Sequence, residues 1–153
     1  MRKSAIILML LCLVPLYAAA QSFEELIDRY GPNKEVVTVT MSESVLQRMA
    51  RRDDNDLLRK LTELKIISVS AEDGDSLRTD FLEDARMYSD GLERLYSVSI
   101  GSDGSVMSVY VDADRRKALM LAVDAESALL MEMVGDIDGQ MQDALLNNEI
   151  KIK

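Results

Sequence analysis

ALMLAVDAESALLMEMVGDIDGQMQDALL, residues 118–146, is the stretch whose reading decides the fold. Leu119, Leu121 and Val123 alternate with smaller or flexible residues, as along a strand. Asp124–Ser127 turns the chain, and Leu129–Val134 returns it. A connection that short has no room for a crossover, so the two strands are antiparallel. Gly135-Asp136-Ile137-Asp138-Gly139 is a hard stop. Either Asp136 or Asp138 can cap the closing helix, which presents Met141, Leu145 and Leu146 to the core.

Working outward, the alternation continues upstream. Met107, Val109 and Val111 form one strand, and Tyr96, Val98 and Ile100 form another. Ser102-Asp103-Gly104-Ser105 between them is a hairpin turn, because Asp-Gly tolerates the positive φ angles that tight hairpins need. The C-terminal half is thus read as four strands in two hairpins. The N-terminal half is mainly helical in period. Ser22 and Glu25 make a capping box for a helix carrying Phe23, Leu26, Ile27 and Tyr30, ended by Gly31-Pro32. Glu35–Met41 reads as a strand. Ser42 opens a second helix with Val45, Leu46 and Met49 inward. Asn55 opens a third, in which Leu57, Leu58, Leu61 and Leu64 recur at helical spacing. Lys65–Ser70 is a second strand. Asp75 or Ser76 caps a helix with Leu77, Phe81, Leu82, Ala85 and Tyr88 inward, and Leu92–Leu95 is read as one added helical turn.

The fold class expected is α+β: a mostly antiparallel sheet of about five to six strands with helices packed on one face. The second face would carry Thr38, Thr40, Ser108, Tyr110, Ala118, Met120, Ala122, Met131 and Met133. It turns apolar toward the C-terminal strands. Left uncovered, its residues Tyr110, Met120, Met131 and Met133 are a candidate interaction face, since methionine adapts to varied partners. The alternative is that a helix covers it.

The N-terminus carries an export signal. Met1-Arg2-Lys3 is basic, Ala5–Leu16 is an apolar run too short to span a bilayer, and Tyr17-Ala18-Ala19-Ala20 supplies the small residues of a cleavage site. Cleavage is expected between Ala20 and Gln21, leaving residues 21–153 as one periplasmic or secreted domain with no stable membrane anchor. Cys12, the sole cysteine, lies in this leader. Leu11 before it is too large for a lipoprotein signal. Residues 1–20 hold two basic and no acidic residues, so their loss moves the net charge from −9 to −11. Such a surface repels phosphate backbones, and nucleic acid is not an expected partner. Arg51-Arg52 and Arg115-Arg116-Lys117 are short, flanked by acids, and read as solvated turns.

The residues that are missing limit the chemistry further. After Ala20 there is no histidine, cysteine or tryptophan. Zinc sites of the usual kinds and Ser-His-Asp or Cys-His catalysis have no donors here. The glycines are scattered singly, without a phosphate loop. Carboxylates are left. Asp136 and Asp138 resemble the opening of a calcium loop, but the fifth, sixth and twelfth positions hold Gln140, Met141 and Asn147 where an oxygen ligand, glycine and glutamate belong. Only Gln140 fits, so helix capping is the better account of the pair. No cofactor is expected. The function expected is a non-enzymatic interaction or sensing domain of the envelope, partnered by an envelope protein or by itself. The alternatives are a small-ligand or cation binder near Asp136 and Asp138 and a carboxylate-only hydrolase.

Several segments together resemble a known family: FEELIDRYG (Phe23–Gly31), VVTVTMS (Val36–Ser42), LTELKIISV (Leu61–Val69) and above all MVGDIDGQMQDAL (Met133–Leu145). The pattern is similar to the secreted bacterial family catalogued as domain of unknown function 4252. Relatives carry an apolar residue where this chain has Gly139. The resemblance implies a small exported protein of a Gram-negative bacterium, with no established activity and an envelope sensing or adaptor role.

Overall fold

The computed structural model describes residues 22–72, 74–101 and 104–147. The expected leader and cleavage site, and the turn residues Ser102 and Asp103, lie outside the described residues. The elements in chain order are α1 (Phe23–Tyr30), β1 (Val36–Ser42), α2 (Glu43–Asp53), α3 (Asp56–Arg59) and β2 (Leu61–Val69). They continue with α4 (Ser76–Ser89), β3 (Glu93–Ile100), β4 (Ser105–Val111), β5 (Lys117–Val123), β6 (Ala128–Gly135) and α5 (Gly139–Leu146). One six-stranded sheet runs β1-β2-β6-β5-β4-β3, with every neighbouring pair antiparallel. The class is α+β.

Local chemistry accounts for most boundaries. Ser22 accepts from the Glu25 amide at 3.2 Å and starts α1. Asn55 Oδ1 accepts from the Leu57 and Leu58 amides and starts α3. Asp75 Oδ1 accepts from Leu77 and starts α4. Each side chain satisfies amides that the first helical turn leaves unpaired.

Two segments depart from the expectation. The third helix is one turn, Asp56–Arg59, and β2 already begins at Leu61. β2 slips register between Leu61 and Glu63, so Leu61 and Leu64 face the same way in a strand although they are three apart. That bulge reproduces helical spacing. Leu92–Leu95 is not a helical turn either. β3 starts at Glu93, with its own irregularity between Arg94 and Tyr96. The last four strands form a continuous meander rather than two separate hairpins.

The larger correction is that helices cover both faces of the sheet. On the first face, Phe23, Leu26 and Tyr30 of α1 and Phe81 and Ala85 of α4 pack on Ile67, Val69, Leu119, Leu121 and Leu130. The two helices meet edge to face, Phe23 on Tyr88 at 6.0 Å and Tyr30 on Phe81 at 5.3 Å between ring centres. On the second face, Leu46 and Ala50 of α2, Leu58 of α3, and Met141 and Leu145 of α5 pack on Leu61, Leu64, Val109, Val111, Ala118, Met131 and Met133. Central strands apolar on both sides require this, because either face left bare would expose a core's worth of surface.

Candidate functional site

The registers line the side chains into cross-strand rows, and the rows show where each face is open. On the second face one row is Met41, Leu64, Met133, Ala118, Val111. Leu64, Met133, Ala118 and Val111 are buried under α2, α3 and α5. The next row is Val39, Ile66, Met131, Met120, Val109, Tyr96. Here Val109 and Met131 are buried and the others half-buried. The third row is Val37, Ser68, Leu129, Ala122, Met107, Val98. No residue of it is buried, and at the edges Val37 is 60% and Val98 41% exposed. Exposure rises steadily away from the helices, so this face is half core and half open.

That geometry redistributes the expected contact residues. Met133 is fully buried and Met131 is 9% exposed, so both belong to the core. Met120 is half-buried at the border of the open half. Tyr110 lies on the opposite face, across from Leu119 and beside Arg94. Thr38, Thr40 and Ser108 lie on that first face too, opposite Ile67, Lys65 and Leu121. Alternation within one strand does not tell which phase matches which in the next. The loop between strands sets it.

The Gly135–Asp138 segment holds sheet and helices together. A Cβ on Gly135 would sit 2.1 Å from the Lys60 carbonyl oxygen, so the backbones touch there. The Asp136 amide donates to that carbonyl at 2.9 Å, and the Ile137 amide donates to the Arg115 carbonyl at 2.9 Å. Ile137 is fully buried in the second-face core. Asp138 Oδ1 accepts from the Met141 amide at 2.9 Å and caps α5, while Oδ2 accepts from Lys60 Nζ at 2.5 Å. Asp136 is exposed. Both Asp138 oxygens are engaged, one by a cation, and no group of three or more metal-capable side chains gathers among the described residues.

The hydrogen bond from Lys60, with that from Met141, holds the Asp138 carboxyl below the usual carboxylate range. A carboxyl depressed in the folded state stabilises above its unfolded pKa of about 3.9, and that contribution disappears as pH falls through the folded value. Asp138→Asn keeps a capping oxygen but loses the Lys60 pair. In thermal melts it should be less stable than wild type at pH 7. The gap should narrow once pH drops below the unfolded value of about 3.9 and close as it falls through the lower folded value, where the wild-type carboxyl is itself protonated. A gap unchanged from pH 7 to pH 3 would assign the loss to the cap alone.

On the first face, one buried polar cluster sits among the apolar side chains. Glu132, 5% exposed, accepts from the Tyr88 hydroxyl and lies 3.7 Å from Lys117 Nζ. Burial, with the Glu132 bond, pushes the Tyr88 phenol well above its ordinary pKa. The phenol therefore stays neutral and donates to Glu132. These groups satisfy one another.

The first face also contains a groove that sequence reasoning missed. Its cavity is about 660 Å³, between the Arg78–Leu82–Arg86 side of α4 and the floor formed by β3, β4 and β5. Arg94, Val106, Ser108, Tyr110, Leu121 and Val123 contribute to that floor. The available signal was the four-residue spacing of Arg78, Leu82 and Arg86, which places all three on one side of α4. Arg94 reaches them only through the sheet.

A six-stranded antiparallel sheet with helices on both faces, one face half open and the other grooved, defines an α+β domain. The family model described as Domain of unknown function (DUF4252) matches residues 30–145, and the chain belongs to that family. A search of curated proteins finds no match.

Proposed function

We propose that this chain is an exported protein of the bacterial envelope that works by binding a protein partner through the open half of its second sheet face, without catalysis of its own. The single observation that carries this reading is the outer row, Val37, Leu129, Ala122, Met107 and Val98, with only Ser68 interrupting it. It holds no charged residue, in a chain that is 29% charged. An uncharged apolar band continuous with the core marks an interaction surface rather than ordinary solvent-facing sheet. The leader Met1–Ala20 supports export.

The occupant is the apolar side of an amphipathic helix from the partner. Six strands at about 4.8 Å spacing make the band roughly 25 Å wide. A helix of about 16 residues spans that distance. The same face is already covered in its other half by helices, so a further helix beside α5 completes the layer by the same packing. Most of the catalytic repertoire lacks its donors, as the absence of histidine and cysteine after Cys12 implies.

Photo-crosslinking in intact cells tests this. Met107→benzoylphenylalanine is expected to yield one discrete adduct in the periplasmic fraction, whereas Glu83→benzoylphenylalanine on α4 is expected to yield none. No adduct from position 107, or equal adducts from both, would overturn the proposal. An adduct of twice the mass of the chain would overturn it in favour of self-association.

A further inference from the structure

We propose that the arginine groove on the first face is a binding site for a small organic anion with an apolar body, such as an alkyl phosphate or carboxylate. It lies on the sheet face opposite the open apolar rows and stands independently of the partner reading. Among its described lining residues are three guanidinium groups and one carboxylate. This local positive excess sits on a chain of net charge −9.

Arg78 is the anchor. It is 5% exposed, yet among the described residues no carboxylate forms an ion pair with it. Its Nη1 donates to the carbonyls of Ala71 at 3.1 Å and Ser127 at 3.4 Å, and its Nη2 to that of Asp124 at 2.5 Å. Its Nε is buried with no acceptor. A buried donor without a partner is costly, and such orphans in native proteins commonly await a ligand or water. The one acid in the lining does not cancel the charge by contact. Asp124 Oδ1 accepts from the Glu126 and Ser127 amides, and Oδ2 accepts from Ser127 Oγ. Its carboxylate is thus spent on the β5–β6 turn, and those bonds, led by the one from Glu126, hold its pKa down.

Arg86 and Arg94 complete the basic side, one on the wall and one on the floor. Both are exposed, and neither forms an ion pair with a described residue. Guanidinium groups match the geometry of carboxylate and phosphate oxygens. The rest of the floor dictates the body of the ligand. Val106, Leu121 and Val123 offer apolar surface, and the half-buried Tyr110 offers a ring face and a hydroxyl. A cavity of about 660 Å³ falls in the range for small-molecule sites. A bare inorganic ion would leave the apolar floor wet, so the site suits an anion with a chain or ring attached.

Isothermal titration calorimetry with octyl phosphate, inorganic phosphate and the neutral octyl glucoside tests this on wild type and on Arg86→Gln/Arg94→Gln. Arg78 is left intact because its carbonyl contacts make it structural. Circular dichroism confirms that the variant is folded. Octyl phosphate should bind wild type, the double variant should weaken it at least tenfold, and octyl glucoside should give no saturable heat. Met107→Lys should leave octyl phosphate binding unchanged, because the apolar rows lie on the other face. Equal affinity of wild type and the double variant would overturn the site. So would binding of octyl glucoside as tight as octyl phosphate, loss of binding in a Met107→Lys variant that circular dichroism shows to be folded, or no octyl phosphate binding at all. Inorganic phosphate binding as tightly as octyl phosphate would overturn the apolar part of the assignment.

Discussion

Gly135→Ala is expected to destabilise the protein by about 3 kcal/mol or more, a large share of the stability of a domain this size. The reason is contact, not mobility. The added methyl carbon would lie 2.1 Å from the Lys60 carbonyl oxygen and 2.8 Å from the Leu61 Cα. Both are backbone atoms at the α3–β2 junction and cannot rotate aside as a side chain would. Pushing them apart breaks the Asp136–Lys60 bond and lifts Ile137, which fills the core beneath α2 and α5. Gly139→Ala is the matched control, because a Cβ there meets nothing within 4 Å. Urea denaturation of the pair should show a collapsed midpoint for the first and little change for the second.

Met133→Lys is expected to abolish stable folding. Met133 is fully buried between Leu64 and Ala118, under the helices of the second face. Placing an ammonium there without a partner costs about 4 kcal/mol or more, which approaches the whole stability of a small domain. Met133 is one of the four residues that the sequence offers as a candidate contact face if no helix covers it, so a folded Met133→Lys would restore that alternative and remove the present reading.

How much of this was legible from the sequence depends on how local each feature is. The Ser22 and Asn55 caps and the return of β5 into β6 were readable because each is decided within a few residues, whereas the sequence offered Asp75 or Ser76 for α4 and Asp136 or Asp138 for α5, of which the structure uses Asp75 and Asp138. The β2 boundary was not, because a bulge set Leu61 and Leu64 on one side and mimicked a helix. The pairing of faces was not, because the Asp112–Arg116 loop, rather than the alternation in β4 or β5, puts Tyr110 opposite Leu119. Helices on both faces were nonetheless implied by strands such as Leu129–Val134, which are apolar at nearly every position. That pattern belongs to a strand buried on both sides. The arginine groove was invisible, since Arg78, Arg86 and Arg94 converge only when α4 crosses from β2 to β3 over the first face.

The measurement that tests the half-open face most directly is urea denaturation of Met107→Lys beside Met133→Lys and wild type. The two methionines occupy rows of the same face, with one row between them. If exposure rises across the rows as described, Met107→Lys stays folded within about 1 kcal/mol of wild type, its ammonium reaching solvent from the outer row, while Met133→Lys does not fold. If Met107→Lys collapses as well, the outer row is core and there is no open face for a partner.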